Sequence, residues 1–204
     1  LCAAPGGKTL VLASRMDKTA TLWSNERSPE RKHRLSVVVQ ECLPPDISER
    51  IKVSCSDGAT WCTRQTECFD SILLDAPCSS ERHVIADPKY LNMWSLSRIK
   101  TVTMEQWSLL SSAYRMLKHN GYLLYSTCAL CPQENDLMME KLIKKFNKDG
   151  NDFVFEPPVP EVNEINSFVD FEIPFYEKTK YGYQILPDKA DGAGPIYFSL
   201  IKKL

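Results

Sequence analysis

The chain opens with Leu1-Cys2-Ala3-Ala4-Pro5-Gly6-Gly7-Lys8-Thr9, a stretch that carries two glycines directly ahead of a helical pattern. Glycines at the turn from a strand into a helix let the backbone approach a cofactor closely. A Walker loop is disfavoured, because it needs a glycine, four further residues and then Gly-Lys-Ser/Thr, and no glycine precedes Gly6. A tight structural turn is the alternative. The stretch therefore predicts a strand-to-helix turn, and the signals downstream decide whether it binds a cofactor.

Short apolar runs alternate with helical patterns over most of the remaining chain. Strands are predicted over 20–24, 51–55, 69–74 and 122–126, and helices over 29–40, 103–117 and 132–146. This alternation predicts an α/β fold with a mostly parallel, doubly wound sheet. Only Leu1 remains of the strand expected before Gly6, so we expect the first, central strand to be largely missing and the chain to be an N-terminally truncated fragment.

The C-terminal quarter of the chain follows a different pattern. Residues 151–180 are acidic and interrupted by prolines, which predicts an irregular connection over the surface rather than a second domain. Strands over 183–186 and 195–201 are then expected, with Pro187-Asp188 and glycines supplying the turn between them. In the same way, Asn120-Gly121 is expected to end the helix predicted over 103–117.

The composition excludes several classes of protein. The chain has 204 residues, of which 43% are hydrophobic and 25% charged, as is typical of a globular domain and not of a disordered or collagen-like chain. The apolar runs are far shorter than the ~18 residues of a membrane span. The net charge of −1 means that binding of nucleic acid would depend on a local basic patch.

Eight cysteines are present, and we expect free thiols in a reducing compartment, because the aliphatic core is too large for a disulfide scaffold. Cys128 and Cys131 form the one C-x-x-C pair, with no second pair at ligand spacing, so no metal site is predicted. A redox role for that pair is the weaker alternative. A free cysteine is usually a small buried residue, which is what we predict for Cys42, Cys55, Cys62 and Cys68.

Acidic residues and a glycine follow successive predicted strands. Glu26 follows the strand at 20–24, Asp57-Gly58 the strand at 51–55, and Asp75 the strand at 69–74. The carboxyl ends of parallel strands meet at one crevice. A carboxylate there can accept the hydroxyls of a ribose or an amino group of adenine. Together with the glycine turn, these residues predict a site for a nucleoside cofactor.

Three motifs carry a family resemblance. Cys2-Ala-Ala-Pro-Gly-Gly-Lys8, Asp75-Ala-Pro-Cys78 and Ser126-Thr-Cys128 resemble, in order and spacing, the motifs of the Nop/Sun-type RNA cytosine-5 methyltransferases. The resemblance implies a Rossmann-like class I methyltransferase fold, dependent on S-adenosylmethionine, with an antiparallel C-terminal strand. It implies one catalytic domain over residues 1–204. The variant Pro-Cys-Ser-Ser-Glu-Arg-His at 77–83, where many relatives have a glycine after Pro-Cys-Ser, is similar to the mitochondrial branch.

The resemblance also implies roles for individual residues. Cys128 is expected to be the nucleophile, Cys78 the second cysteine, and Asp75 to lie between the cofactor and the target base. The expected cofactor-binding residues are Cys2, Ala3, Ala4, Pro5, Gly6, Gly7, Lys8, Glu26, Arg31, Asp57, Gly58 and Asp75. The implied location is the mitochondrial matrix, with the cytoplasm as the alternative.

The chemistry of cytosine methylation explains why two cysteines and an acid are needed. Carbon 5 is a poor nucleophile until a thiolate adds to carbon 6. The negative charge that then develops on the ring needs an acid or donor, for which Asp75 with Lys8 is suitable. A second thiol, Cys78, can assist removal of the carbon-5 proton and release of the product. We therefore expect Cys128 to have a lowered pKa, since the thiolate is the reactive form.

Binding of RNA, as rRNA or tRNA, is the weaker inference from the residues themselves. Two basic clusters could hold phosphates, and three aromatic residues could stack an unpaired base. They are Arg27, Arg31, Lys32, His33 and Arg34; Arg82, His83, Lys89, Arg98 and Lys100; and Tyr90, Trp94 and Trp107. A solvated surface and core packing are the alternatives for each.

Two other functions stay open. A DNA cytosine-5 methyltransferase would use Cys78 of the Pro-Cys motif as nucleophile and would not need Cys128. An RNA-binding scaffold without activity would need neither cysteine. The sequence also leaves open whether a partner protein delivers the substrate.

Overall fold

The structure, a computed structural model, describes residues 1–157 and 175–204. Its helices are α1 (Gly7–Arg15), α2 (Pro29–Cys42), α3 (Pro45–Ser48), α4 (Glu81–Ala86), α5 (Leu96–Met116) and α6 (Asp136–Phe146), with 3-10 turns at Gly58–Thr63 and Pro88–Met93. Its strands are β1 (Leu22–Glu26), β2 (Ile51–Cys55), β3 (Phe69–Asp75), β4 (Leu117–Thr127), β5 (Phe153–Glu156), β6 (Glu177–Lys178), β7 (Tyr183–Ile185) and β8 (Ile196–Lys203).

Local sequence signals place several elements where they were predicted. Helix α2 begins at Pro29 because the Ser28 side chain accepts a hydrogen bond from the backbone N–H of Arg31 and proline suits the first helical position. Strand β2 spans the predicted residues 51–55, and β3 extends the predicted 69–74 by one residue. Strand β1 lies two residues later than predicted and ends at Glu26.

The prediction that Asn120-Gly121 ends a helix is wrong. Helix α5 begins at Leu96, where Ser95 caps it, and ends at Met116. Asn120 and Gly121 lie within β4, where Asn120 has φ 61°. The register between β3 and β4 shifts at this point. The positive φ of Asn120 is therefore part of an irregularity within the strand. The helix predicted over 132–146 begins only at Asp136, because residues 132–135 form a turn.

The sheet topology is that of a mostly parallel α/β fold with antiparallel closure. Strands β1 and β2 are parallel, as are β3 and β4. Strand β8 runs antiparallel to β4, which confirms the predicted antiparallel C-terminal strand. On its other side β8 pairs with β5 and with β7, and β7 pairs with β6.

Residues 1–3 lie between the two parallel pairs. The N–H of Leu1 donates to the carbonyl of Leu73 in β3 at 2.7 Å, and the N–H of Ala3 donates to the carbonyl of Asn25 in β1 at 3.0 Å. A cavity of about 970 Å³ adjoins them and is lined by residues of both strands.

The prediction of an irregular segment over 151–180 is wrong at both ends. Phe153–Glu156 forms β5 on the edge of β8, and Phe153 is buried against the main core. Glu177–Lys178 forms the short β6. The sequence pattern misses β5 because its four residues pair only with β8, nearly fifty residues downstream. The rest of that prediction, residues 158–174, lies outside the described residues.

Replacement of Phe153 tests whether β5 belongs to the core. Phe153→Ala should lower the free energy of unfolding by about 3–5 kcal/mol, as for other buried phenylalanines. Val154→Ala on the exposed face of the same strand should change it by less than about 1 kcal/mol. Urea unfolding followed by circular dichroism measures both. Equal losses in the two variants would contradict the placement of Phe153 in the core.

Candidate active site

The carboxyl ends of the parallel strands carry the predicted site residues to one edge. Glu26 is the last residue of β1, opposite Cys55 in β2, and Asp75 is the last residue of β3, opposite Ser126 in β4. Cys78 and Cys128 follow β3 and β4. The strands therefore bring together the acids and cysteines that lie far apart in the sequence.

The glycine turn presents an open helix N-terminus. Gly6 has φ 129°, and a Cβ on it would meet Val38 Cγ1 of α2 at 2.8 Å, so only glycine fits. Gly7 begins α1, and a Cβ there would meet no atom within 4 Å. No side chain caps α1, and its first turn holds no acid. The unpaired N–H groups of this turn can bind an anionic or polar group.

Glu26 and Arg31 lie directly against this turn. The buried Glu26 carboxylate accepts hydrogen bonds from the N–H groups of Ala4 at 3.4 Å and Ser28 at 3.2 Å. Arg31 pairs with Glu26 at 3.5 Å and donates to the Ala4 carbonyl at 2.9 Å. Arg31 therefore holds both the acid and the motif in place.

Asp57 and Gly58 stand at the end of β2 as predicted. Asp57 Oδ1 accepts the N–H of Ala59 at 3.0 Å and caps the 3-10 turn. A Cβ on the buried Gly58 would lie 3.2 Å from Leu1 Cδ2. Cys2, half-buried between these groups, packs on the core, and its burial raises its pKa to about 11. Cys2 is therefore placed for packing.

Lys8 and Asp75 join the glycine turn to the cysteines. Lys8 Nζ donates to Asp75 Oδ2 at 2.5 Å, and Ser126 Oγ donates to Asp75 Oδ1 at 3.4 Å. Both side chains of the ion pair remain partly exposed, at 56% for Lys8 and 33% for Asp75. The pair can therefore reach a molecule that binds at this edge.

Cys78 and Cys128 are in direct contact. Their sulfur atoms lie 2.8 Å apart although fifty residues separate them in the chain. Both side chains are half-buried. Cys128 contacts Cys78 rather than Cys131, whose sulfur donates to Gln133 Oε1 at 2.8 Å. The structure thus contradicts a Cys128–Cys131 redox pair and brings together the two cysteines of the predicted site.

The pKa values of Cys78 and Cys128 are shifted in the direction opposite to the prediction. The hydrogen bond from Cys128 lowers the pKa of Cys78 from 9.0 to about 7. The same hydrogen bond, followed by burial and by the charges of Cys78 and Asp75, raises the pKa of Cys128. The expected lowering of the Cys128 pKa is therefore wrong for this arrangement. Two sulfur atoms this close cannot both carry a charge.

Ser80 explains one departure from the family motif. It has φ 61° and ψ 41°, a left-handed conformation that favours glycine. Many relatives have glycine after Pro-Cys-Ser, and this conformation gives a physical reason for it. Here Ser80 Oγ instead bonds its own turn, by donating to the Cys78 carbonyl at 3.3 Å.

Four buried or half-buried polar residues around the cysteines were not predicted as site residues. Asn135 holds the Cys128 loop, because it accepts from Thr127 Oγ1 at 2.7 Å and donates to the Ala129 carbonyl at 2.9 Å. The other three are Glu81, Gln106 and Glu134. The sequence offered one signal, the run Gln133-Glu134-Asn135, which helical patterning had attributed to the first turn of a helix.

The basic clusters are only partly available for RNA. Arg27 pairs with Glu105 at 3.0 Å and Arg34 pairs with Glu30, while Lys89 pairs with Asp87. Lysines and arginines of these surfaces that remain exposed include Arg82 and Lys100.

The aromatic candidates have different surroundings. Trp94 is 38% exposed and donates through Nε1 to Glu81, beside the cysteine loops. Tyr90 is half-buried, with its ring 5.7 Å from that of His83. Trp107 packs on the core, with Lys141 over its ring. This agrees with the alternative that Trp107 is a packing residue.

The remaining cysteines divide into two groups. All eight cysteines are free, in agreement with the expected free thiols. Cys62 and Cys68 are half-buried against the core, but Cys42 and Cys55 are exposed, so the prediction of burial is wrong for these two. Cys42 ends α2 and Cys55 ends β2, where the chain turns outward.

Two features are absent from the described ranges, 1–157 and 175–204. No group of three or more histidine, cysteine, aspartate or glutamate side chains there is arranged to hold a metal ion. None of the helices in those ranges combines the length and the apolar character that a bilayer crossing requires.

The fold is a mostly parallel α/β fold with an antiparallel C-terminal strand, and solved structures share it. The crystal structure of NSun6 from Pyrococcus horikoshii with SFG superposes with a TM-score of 0.74, covering 100% of this chain and 46% of that one at 22% sequence identity. The sequence model of the 16S rRNA methyltransferase RsmB/F family matches residues 1–194. The chain belongs to this family, which confirms the resemblance of the three motifs.

Two relatives illustrate how far the likeness extends. Ribosomal RNA small subunit methyltransferase F of Aeromonas salmonicida is 39% identical over 144 residues, 71% of this chain and 29% of the relative. The 5-cytosine rRNA methyltransferase NSUN4 of Mus musculus is 29% identical over 209 residues, 100% of this chain and 54% of the relative. The chain thus spans about half or less of the length of these curated relatives.

Removal of Cys128 tests the shared proton. In Cys128→Ala the pKa of Cys78 should rise from about 7 toward 9.0, because the hydrogen bond that lowers it is lost. At pH 7 the thiolate fraction of Cys78 should fall from about one half to about one hundredth, and its alkylation rate should fall in proportion. Alkylation by iodoacetamide from pH 5 to 10, with mass spectrometry of the Cys78 peptide, measures this. Cys131→Ala is the matched control, and identical profiles in both variants would contradict the shared proton.

Proposed function

We propose that residues 1–204 form the catalytic domain of an RNA cytosine-5 methyltransferase. It transfers a methyl group from S-adenosylmethionine to carbon 5 of a cytosine in rRNA or tRNA. The observation that carries the proposal is the 2.8 Å contact between Cys78 and Cys128 beside Asp75, at the sheet edge that the glycine turn also reaches. Membership of the RsmB/F family supports it.

The residues of the glycine turn fit a nucleoside cofactor. The empty space around the Gly7 Cα lets a ligand approach the α1 N-terminus, and no side chain competes for its N–H groups. Glu26, Asp57 and Gly58 stand at neighbouring strand ends, where they would hold the ribose and the adenine. S-adenosylmethionine, when bound there, would supply the methyl group as a sulfonium.

Residues of the protein itself carry out the steps other than methyl donation. A cytosine ring that enters between Cys78 and Cys128 must separate the two sulfur atoms, because a gap of 2.8 Å cannot hold it. Separation removes the hydrogen bond that raises the pKa of Cys128, so Cys128 can release its proton to solvent and add to carbon 6 as a thiolate. Lys8, which Asp75 holds at this edge, can stabilise the negative charge that develops on the ring.

Cys78 is suited to the second half of the reaction. Cys78 lies beside Cys128, so its thiolate can accept the proton that carbon 5 must lose after methylation. Loss of that proton re-forms the aromatic ring as Cys128 leaves carbon 6. The two cysteines therefore have separate tasks, nucleophile and base.

One observation favours a second candidate function. The lowered pKa of Cys78 is also what a Pro-Cys nucleophile needs, as in DNA cytosine-5 methyltransferases. In that case Cys78 would form the covalent bond and Cys128 would be dispensable.

A trapped intermediate distinguishes these functions. Full-length protein with Cys78→Ser, incubated with cellular RNA and S-adenosylmethionine, should accumulate a protein–RNA adduct that survives denaturation, because release needs Cys78. The adduct should disappear when Cys128 is also replaced by serine. Sequencing of the trapped RNA would identify the substrate.

The other outcomes of this experiment are also informative. A parallel incubation with DNA tests the second candidate, which methylation of DNA by the Cys128→Ser variant, and not by the Cys78→Ser variant, would support. Normal binding of S-adenosylmethionine without an adduct in either variant would point to an inactive RNA-binding scaffold.

Replacement of Gly7 tests the cofactor site. Gly7→Ala should leave folding intact, since a Cβ there meets no protein atom within 4 Å, but it should weaken binding of S-adenosylmethionine roughly 10-fold by occupying its space. Calorimetric titration measures the affinity, with thermal unfolding as the check on stability. Val11→Ala, at an exposed residue of the same helix, is the control. Unchanged affinity in Gly7→Ala would exclude close approach of the cofactor at this turn.

The resemblance to the mitochondrial branch keeps the mitochondrial matrix as the proposed location, with the cytoplasm as the alternative. Fractionation of cells that express the full-length protein distinguishes the two.

A further inference from the structure

Two glutamates cross between the cysteine loops. Glu81, three residues after Cys78, accepts hydrogen bonds at Oε2 from the N–H groups of Leu130 at 2.5 Å and Cys131 at 2.9 Å. Glu134, six residues after Cys128, accepts at Oε2 from the N–H of Ser79 at 2.9 Å. Each loop thus sends a carboxylate to the backbone of the other loop.

These carboxylates connect the two loops beyond the point where the backbone hydrogen bonds of the sheet end. The last backbone hydrogen bond along this edge runs from Ala76 N–H to the Ser126 carbonyl at 2.9 Å. No backbone–backbone hydrogen bond joins residues 77–80 to 128–131, all of which lie in the described part of the chain. The relative position of the two loops therefore depends on side chains.

Each carboxylate is itself held in place. Glu134 is fully buried, and its Oε2 also accepts from Gln106 Nε2 at 2.9 Å. The same Gln106 nitrogen donates to the Pro77 carbonyl at 2.9 Å, so both neighbours of Cys78 are fixed. Hydrogen bonds to a carboxylate are strong, and more so away from water.

A hydrogen bond to the second carboxylate oxygen, Oε1, orients the half-buried Glu81. Glu81 Oε1 accepts from Trp94 Nε1 at 2.8 Å, so the carboxylate receives three N–H donors in total. A glutamine at this position could not satisfy all three donors, because its amide nitrogen accepts no hydrogen bond. Glu81 therefore needs both oxygens of the carboxylate.

We propose that Glu81 and Glu134 are reciprocal positioning residues that set the contact between Cys78 and Cys128. Neither glutamate needs to touch the substrate. Their effect on the rate rests on the proposed function, whereas their effect on the distance between the two thiols does not.

The first test separates turnover from binding. In full-length protein, Glu81→Gln and Glu134→Ala should lower kcat for RNA methylation by about 10- to 100-fold, since a displacement near 1 Å costs that much. The KM for S-adenosylmethionine should stay unchanged. Glu134→Gln should retain most activity, because its amide oxygen can accept from both Ser79 and Gln106. Glu140→Gln, on an exposed face of α6 and paired with Lys180, is the matched control.

The second test measures thiol proximity without RNA. Glutathione disulfide converts the Cys78 and Cys128 thiols to a disulfide and releases two glutathiones, and the equilibrium gives the effective concentration of one thiol at the other. This effective concentration should fall at least about tenfold in Glu81→Gln and Glu134→Ala. The exposed Cys42 and Cys55 are replaced by serine to keep the titration specific.

The two tests together distinguish failure of the positioning role from failure of the proposed function. A lower effective concentration with no methylation by the unmodified protein would support the positioning role and reject the proposed function. Normal methylation, with unchanged kcat and unchanged effective concentration in the variants, would overturn the positioning role. If Glu134→Ala does not fold, Glu81→Gln carries the test alone, because its side chain is only half-buried.

Discussion

The parallel register of β3 and β4 governs the geometry of the whole candidate site. Asp75 pairs with Ser126, so the loops that follow these two residues start side by side at one edge of the sheet. The buried apolar side chains of the two strands, among them Leu74, Leu123 and Tyr125, fix that register. A slip by one residue would turn those side chains out of the core and separate the cysteines. The stability of the sheet and the geometry of the candidate site therefore have the same origin.

Beyond the last backbone hydrogen bond between β3 and β4, hydrogen bonds of buried polar side chains connect the two loops. Burial of the Glu134 carboxylate and the Gln106 amide is costly unless hydrogen bonds compensate for it. Each has them on one side only, since Glu134 Oε1 and Gln106 Oε1 have no partner within residues 1–157 and 175–204. A fold under selection for stability alone would place apolar side chains here. Such departures from local rules concentrate at functional sites, in agreement with the position of these residues beside Cys78.

The contact between the two thiols also assigns them different states. A single hydrogen bond lowers the pKa of Cys78 and raises that of Cys128. Which thiol is ionised is a property of the pair and changes as soon as a third molecule separates the sulfur atoms. A lowered pKa in the free protein therefore does not by itself identify the nucleophile.

The α/β class, the glycine turn, helix α2 and strand β2 could all be predicted from the sequence, because each rests on residues close together in the chain. Ser28-Pro29 starts a helix, and Gly6 tolerates a positive φ, in any fold. Tertiary contacts were needed to establish that β5 forms, that Cys128 contacts Cys78 and not Cys131, and that Glu81 and Glu134 cross between the loops. These features arise from contacts between residues about fifty positions apart, and no local pattern encodes them. The strands must pair before such contacts exist.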